Sequence, residues 1–237
     1  MIYYSAVMQM EGNRAGIRTK ELIVNTAKKL FYEFGYDDVS ITQICQEADI
    51  TRTKFFYYFK NKEEIADFVC NDVLRNCEIK YFNIVLKLYS KNLAVGVGVA
   101  IYVYFASIIE NENLLRFYAE VLKSNTASLI GNASYRSILA MLASKAGLDR
   151  ESFDIYYIAT TSVPGTLLYA YKTGVLKDKE EVLNFILQTA IAPLFKTKAD
   201  RIIADVVSDV KGFRIDLASE FLSEYKVKNE ESGGDNK

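Results

Sequence analysis

The chain contains no histidine and no tryptophan, and only two prolines among its 237 residues. Without histidine there is no His-dependent zinc site, no Ser-His-Asp or Cys-His catalytic arrangement and no imidazole proton shuttle. Two prolines and twelve glycines exclude collagen-like, Pro-rich and Gly-rich linker architectures. They also leave little turn material for a many-stranded sandwich or barrel. Charge of one sign is lacking too. The 29 basic residues face 30 acidic ones, a net charge of −1. That excludes a globally basic nucleic-acid coat protein but leaves room for a local basic patch. No CxxC occurs. The three cysteines, Cys45, Cys70 and Cys77, read as buried reduced thiols of a cytoplasmic protein. Cys70 and Cys77 share a helix face but lie too far apart along it to form a disulfide.

Long hydrophobic runs are scarce. Residues 92–109 and 155–171 carry no charge over 18 and 17 positions, the lower edge of a membrane-spanning length. The first holds Asn92, Gly96, Gly98 and Ser107, and the second holds Thr160, Thr161, Ser162, Pro164 and Gly165. Neither has a concentrated basic flank, so both read as buried helices and no membrane partner is expected. The first ten residues have no positive n-region of a secretory signal.

What is present is helical periodicity. Residues 1–17 read as a flexible arm. From Thr19, apolar Leu22, Ile23, Ala27, Leu30, Phe31 and Phe34 recur at helical spacing, and Gly35 stops the run. Ser40 reads as the N-cap of a short helix, with Gln43 as its capping-box partner. Thr51 caps the next helix, and Lys60-Asn61 breaks it. Long helices are expected near 62–89, 92–110, 113–124, 126–147, 151–173, 178–197 and 199–226, with Pro164-Gly165 kinking or breaking the fifth. The tail 227–237 is polar and reads as disordered. The fold class is therefore all-α, with a small unit over 18–61 and a large apolar unit over 62–226. No sustained period-two alternation and no repeat of 20–50 residues occurs.

Residues 40–59 have the form helix, turn, helix. In a helix-turn-helix the second helix enters the major groove. The inner faces must be small and apolar, as Ile44, Ala48, Ile50 and Phe55 are. The turn needs a left-handed backbone, which Asp tolerates, and Asp49 stands there. Between Ile50 and Lys62 there are four basic residues, Arg52, Lys54, Lys60 and Lys62, and no acidic one. In a chain of net charge −1 that surplus marks a phosphate partner.

The run SITQICQEADITRTKFFYYFKNKEEI resembles the helix-turn-helix of the TetR/AcrR family of bacterial transcription regulators, and TKELIVNTAKKLFYEFGYDDVS resembles that family's first helix. The specific resemblance covers residues 19–65. Two positions depart from it: Asp49 stands where Gly is usual, and Phe56 where Tyr is usual. Within this frame Thr51, Arg52, Thr53 and Lys54 open the recognition helix. Arg52 and Lys54 suit guanine O6/N7, and Thr53 suits a thymine methyl. Tyr57 is a candidate base or sugar contact. Ser40 and Thr42 open the preceding helix towards phosphate. Tyr58 and Lys62 are candidate backbone clamps, and Arg14 and Arg18 could reach a minor groove from the arm. Phe55, Phe56 and Phe59 are expected to pack as core.

The resemblance implies a C-terminal domain that binds a small effector and dimerises. Tyr102, Phe105, Phe117, Tyr118, Tyr157, Thr161 and Tyr169 are the candidate effector residues, since aromatic bodies with polar tips suit a mainly apolar pocket. Glu110, Arg116, Glu120 and Lys123 are expected to pair on the surface. Reading a palindromic operator in double-stranded DNA requires two recognition helices about 34–36 Å apart, hence a homodimer. The apolar stripe Leu183, Ile186, Leu187, Ala190, Ile191 and Leu194 is the candidate interface. The expected activity is repression, relieved when an effector tilts the 62–89 helix. A C-terminal unit that binds a protein partner instead is the alternative. No cofactor, no metal site and no enzymatic chemistry are indicated.

Overall fold

The computed structural model describes residues 2–124 and 133–227. Among these the chain is all-α, with no strand. The elements are α1 (Ile2–Phe34), α2 (Ile41–Glu47), α3 (Arg52–Tyr58) and α4 (Lys62–Cys77). A π-helical turn (Glu78–Phe82) leads into α5 (Asn83–Leu88), α6 (Leu93–Ile109) and α7 (Glu112–Ser124). Then come α8 (Ala133–Lys145), α9 (Arg150–Lys172), α10 (Lys179–Phe195), α11 (Ala199–Asp209) and α12 (Leu217–Leu222). No single described helix is long and apolar enough to cross a membrane.

The helix starts follow from local chemistry. Ser40 Oγ accepts the Gln43 amide at 3.2 Å, and the Gln43 side chain accepts the Ser40 amide at 2.8 Å. This reciprocal pair satisfies two amides that a helix N-terminus leaves without partners. The side chains of Thr51, Asn61, Asp149 and Asp178 cap α3, α4, α9 and α10 by accepting a first-turn amide, without the reciprocal bond.

Helix α6 forms the centre of the larger unit. It is apolar all round and buried over nearly its whole length, as a helix packed on several sides must be. Its two glycines admit side chains of this same chain. A Cβ on Gly96 would come within 2.7 Å of Tyr89 Cβ, and one on Gly98 within 2.5 Å of Val206 Cγ2.

Four expectations about the helices are corrected. The first helix begins at Ile2, not near Thr19; residues 2–18 contain no proline, so the amide ladder can run on backwards. Arg14 and Arg18 therefore lie on α1 and not on an arm. The 62–89 segment is divided by the π turn, where Lys80 and Tyr81 both reach Glu220 of α12. Such a turn re-aims side chains within an otherwise continuous helix. The 199–226 segment ends as a helix at Asp209 and resumes only at Leu217, because a 3-10 turn and the extended Phe213–Asp216 intervene. Pro164 does not break α9, which runs unbroken from Arg150 to Lys172. Beside it Gly165 lets α7 approach, its missing Cβ lying 2.7 Å from Leu122 Cβ. The expected helix over 126–147 lies within the described residues only as Ala133–Lys145, and the tail 228–237 lies outside them.

Helix α1 is fastened to the rest from two sides. At its C-terminal end the Arg116 guanidinium of α7 donates to the carbonyls of Tyr32 (3.3 Å) and Glu33 (2.5 Å), and the buried Glu120 carboxylate accepts the Asp37 amide at 3.0 Å. Glu120 also pairs with Lys172 of α9. Arg116 and Glu120 thus join separate helices instead of pairing on one surface. Farther back, the segment after α12 lies against α1 as a strap. Asn25 donates to the Tyr225 carbonyl and accepts its amide, and Glu21 accepts the amide of Val227.

Between these contacts lies a buried ion pair. The Lys28 ammonium, 2% exposed, donates to Asp72 Oδ2 of α4 at 3.0 Å and to the Ser223 carbonyl of the strap at 2.7 Å. Removing one member of such a pair leaves an uncompensated buried charge, whereas replacing both with apolar groups does not. Lys28→Met should therefore cost about 3–5 kcal/mol in chemical denaturation. Lys28→Met combined with Asp72→Leu should recover most of that loss.

Candidate nucleic-acid interface and effector cavities

Helices α2 and α3 cross at a turn built on Asp49, which holds φ +48°. The Ile50 amide donates to the Cys45 carbonyl at 3.0 Å, and the Asp49 amide to Gln46 at 3.2 Å. These two bonds are those of a left-handed helix stop. The position usual for glycine is thus held by an aspartate in the glycine-type backbone. Ile44, Ala48 and Phe55 are buried at the crossing, which fixes how α3 projects.

The outward face of α3 carries the expected residues. Thr51, Arg52, Thr53, Lys54 and Tyr57 are all exposed, Tyr57 at 83%. Ser40 and Thr42 are exposed at the start of α2. The structure therefore places these seven on the surface around one helix-turn-helix. Phe56 departs from the expected core packing: it is 45% exposed, with the Arg52 guanidinium 5.9 Å from its ring centre. Phe55 and Phe59 are buried. Tyr58 is half-buried with its hydroxyl beside Gly16 of α1, and Lys62 is turned inwards. The Lys62 ammonium donates to the Tyr36 carbonyl at 2.8 Å and lies 4.1 Å from the Tyr36 ring centre. These two hold α1 and its exit turn instead of standing free as clamps. Lys54, Tyr57 and Tyr58 border an open cleft shared with Lys20 of α1 and with Tyr225 and Val227 of the strap.

The seven candidate effector residues do not meet in one pocket. Phe117 and Tyr118 are buried in the core against Phe221, with the Tyr118 and Tyr104 hydroxyls 3.0 Å apart. Tyr157 is buried, stacked on Phe153 with the Arg136 guanidinium over its ring. Thr161 Oγ1 donates back to the Tyr157 carbonyl. Tyr169 accepts from Lys123 at the surface. Phe105 borders a small apolar gap with Leu74, Phe82 and Ala100. Only Tyr102 lines a sizeable cavity, of about 260 Å³, between α6, the start of α10, α11 and the 210–214 segment. There Tyr102 donates to Glu180, and Lys179 pairs with Glu110 at 3.0 Å. Burial, then the Glu180 carboxylate, push the Tyr102 hydroxyl well up from its ordinary range.

The candidate interface stripe is corrected in the same way. Leu183, Ile186, Leu187, Ala190 and Ile191 are all buried within the chain's own core, and Leu194 is half-buried. A regular apolar stripe is the pattern a helix needs to pack intramolecularly, and α10 uses it against its own neighbours. The apolar groups left outside lie off that register: Ile155 at 73%, Ile158 at 51% and Phe185 at 51% exposed. Sequence periodicity passes over such residues because they belong to no stripe. The cavity residues Lys211, Phe213 and Arg214 were also missed, and Gly212 was the available signal that the helix stops there. The three cysteines are buried and free. Burial pushes Cys77 up to about 12, so it stays a protonated packing group.

Helices α1 to α3, with α3 exposed and polar, define a helix-turn-helix DNA-binding domain followed by a larger helical domain. Residues 23–68 match the family model described as bacterial regulatory proteins, tetR family. Over these residues the chain is similar to the TetR family of transcriptional regulators. Among curated relatives, the biofilm operon icaADBC HTH-type negative transcriptional regulator IcaR of Staphylococcus epidermidis is 23% identical over 168 residues, 71% of this chain and 78% of its own length. The transposon Tn10 TetC protein of Escherichia coli is 43% identical over 47 residues, 20% of this chain and 24% of its own length. Among solved structures, full-length tylp, a TetR regulator from Streptomyces fradiae, aligns over 81% of this chain and 98% of its own with 17% identity and a TM-score of 0.45.

The left-handed backbone at Asp49 costs a non-glycine residue about 1–2 kcal/mol. Asp49→Gly should therefore raise the unfolding free energy by about 1 kcal/mol, and thermal unfolding of the two proteins side by side checks it.

Proposed function

We propose that this regulator is a repressor that binds a palindromic operator as a homodimer and is released by a small effector. The observation that carries the DNA-reading part is the N-terminal half of α3. It presents Arg52, Thr53 and Lys54, each exposed, in the first turn of a helix whose projection the Asp49 turn fixes. Arg52 and Lys54 read guanine edges, Thr53 a thymine methyl and Tyr57 a base or sugar, while Ser40 and Thr42 hold phosphate. The functional division then falls at Asn61, the DNA-reading unit before it and the effector and dimer unit after it. A regulator of this kind works in the bacterial cytoplasm.

For the homodimer we assign the exposed face of α9 and α10. No charged residue occurs from Ile155 to Tyr171 or from Val182 to Phe195. Ile155 and Ala159 of α9 share a groove there with Thr189, Pro193 and Leu194 of α10. Uncharged helical faces with exposed apolar anchors are what a stable self-association surface requires. The effector part is supported by the cavity beside Tyr102, next to the segment that leads into the strap.

Selection of genomic fragments by the purified protein at two salt concentrations tests the DNA reading. A palindromic site whose affinity falls steeply with salt is expected. Arg52→Ala should cost about 1–3 kcal/mol and relax preference at one position. Fragments without a shared motif, bound equally well by Arg52→Ala and Lys54→Ala, would remove the reading. Phe185→Asp should convert a dimer to a monomer in analytical ultracentrifugation and weaken operator binding at least about a hundredfold, since each lost half-site contact is multiplied in a two-site complex. A wild-type monomer would instead point to a protein partner on this face.

A further inference from the structure

The 260 Å³ cavity beside Tyr102 has a neighbour. Val103, Phe213 and Arg214 line it and also line a second, apolar chamber of about 90 Å³ beside Phe82 and Ala100. Phe82 and Ala100 in turn border the apolar gap beside Phe105. Only together do the two larger spaces reach the lower end of small-ligand sites, roughly 300–1,000 Å³, and Val103 and Phe213 form a partition common to both. Phe213 sits in the extended Phe213–Asp216 segment, outside any helix, so its ring is not fixed by a helical ladder.

Charge is distributed unevenly over this pair of spaces. In the outer cavity Glu110 and Glu180 are engaged by Lys179 and Tyr102. Lys211 and Arg214 make no ion pair among the described residues, and Arg214 donates only to the Phe213 carbonyl. Three cations against two carboxylates leave one positive charge for a ligand to meet. The inner chamber offers Phe82, Val85, Ala100 and Ile215 and no free carboxylate.

We infer that this pair of spaces is the effector site and that it takes an anionic amphiphile, an aliphatic carboxylate. The carboxylate lies on Arg214 and Lys211, and the tail passes Phe213 into the inner chamber. An Arg guanidinium presents parallel donors that match a carboxylate, and each methylene buried beyond the partition adds apolar contact. The inference rests on the reading of the chain as an effector-controlled regulator, and it names the effector's class. It also supplies a route. Phe213 to Ile215 run directly into α12 and the strap that holds Asn25 and Lys28 of α1, so a ligand that displaces Phe213 pulls on the DNA-reading unit.

Calorimetric titration of the full chain without DNA tests the site, with butyrate, hexanoate, octanoate, octanol and octylamine as probes. Affinity should rise about fourfold for each added methylene among the carboxylates. Octanoate should bind at least about tenfold more tightly than octanol or octylamine, a margin that Arg214→Gln abolishes without weakening octanol. Arg214 is exposed, so this variant should keep the fold. The chain has no tryptophan, so Phe213→Trp places a single indole at the partition, and octanoate should shift its emission. Octanoate binding no better than octanol, or binding that survives Arg214→Gln together with Lys211→Gln, overturns the proposal. So does an indole that does not respond while heat is released. Because no DNA is present, failure here is separate from failure to find an operator. Octanoate that binds as expected but leaves operator affinity unchanged would uphold the site and remove its regulatory role.

Discussion

The Lys28 ammonium is the point on which the arrangement of the two domains turns. It is almost wholly withdrawn from water and is held by a carboxylate of α4 and a carbonyl of the strap. A buried ammonium is tolerated only when paired and hydrogen-bonded. That requirement fixes α1, α4 and the strap against one another. Helix α1 also packs against α2, which in turn packs against α3. Its position therefore sets where the recognition helix points, and the ion pair connects the core of the larger domain to the DNA-reading surface.

A second connection runs through charges placed at helix ends. Arg116 and Glu120 of α7 take up the last carbonyls of α1 and the first amide of the following turn. Glu220 of α12 gathers Lys80 and Tyr81 at the π turn. Helix α1 is thus held at its C-terminal end by α7 and at its middle by the strap.

The parts legible in sequence were those governed by local rules. Capping residues announced the starts of α2 and α3, because an orphan amide is satisfied by a residue at a fixed offset. The Asp49 turn followed from a backbone need that few residue types meet. The outward side of α3 was legible because exposure there follows the cap by a fixed helical rotation. The positions of the proposed effector and dimer surfaces were not. Tyr118, Tyr157 and Leu187 carry the same periodic signature whether a helix faces its own core, a ligand or a second chain. Only tertiary packing decides among those three, and here it chose the core. The cavity residues Lys211, Phe213 and Arg214 lie where the helix stops, so periodicity had nothing to register.

The strap joins residues about two hundred positions apart: Asn25 bonds to Tyr225, Glu21 to Val227 and Lys28 to Ser223. During synthesis the helix-turn-helix emerges before the strap. Its own caps and small core can form while the rest is still being made, since domains fold as units during translation. Its seating, however, waits for residues made some two hundred positions later. A nascent chain therefore carries a formed recognition helix that is not yet aimed, and the order of translation delays its seating until the strap has been made.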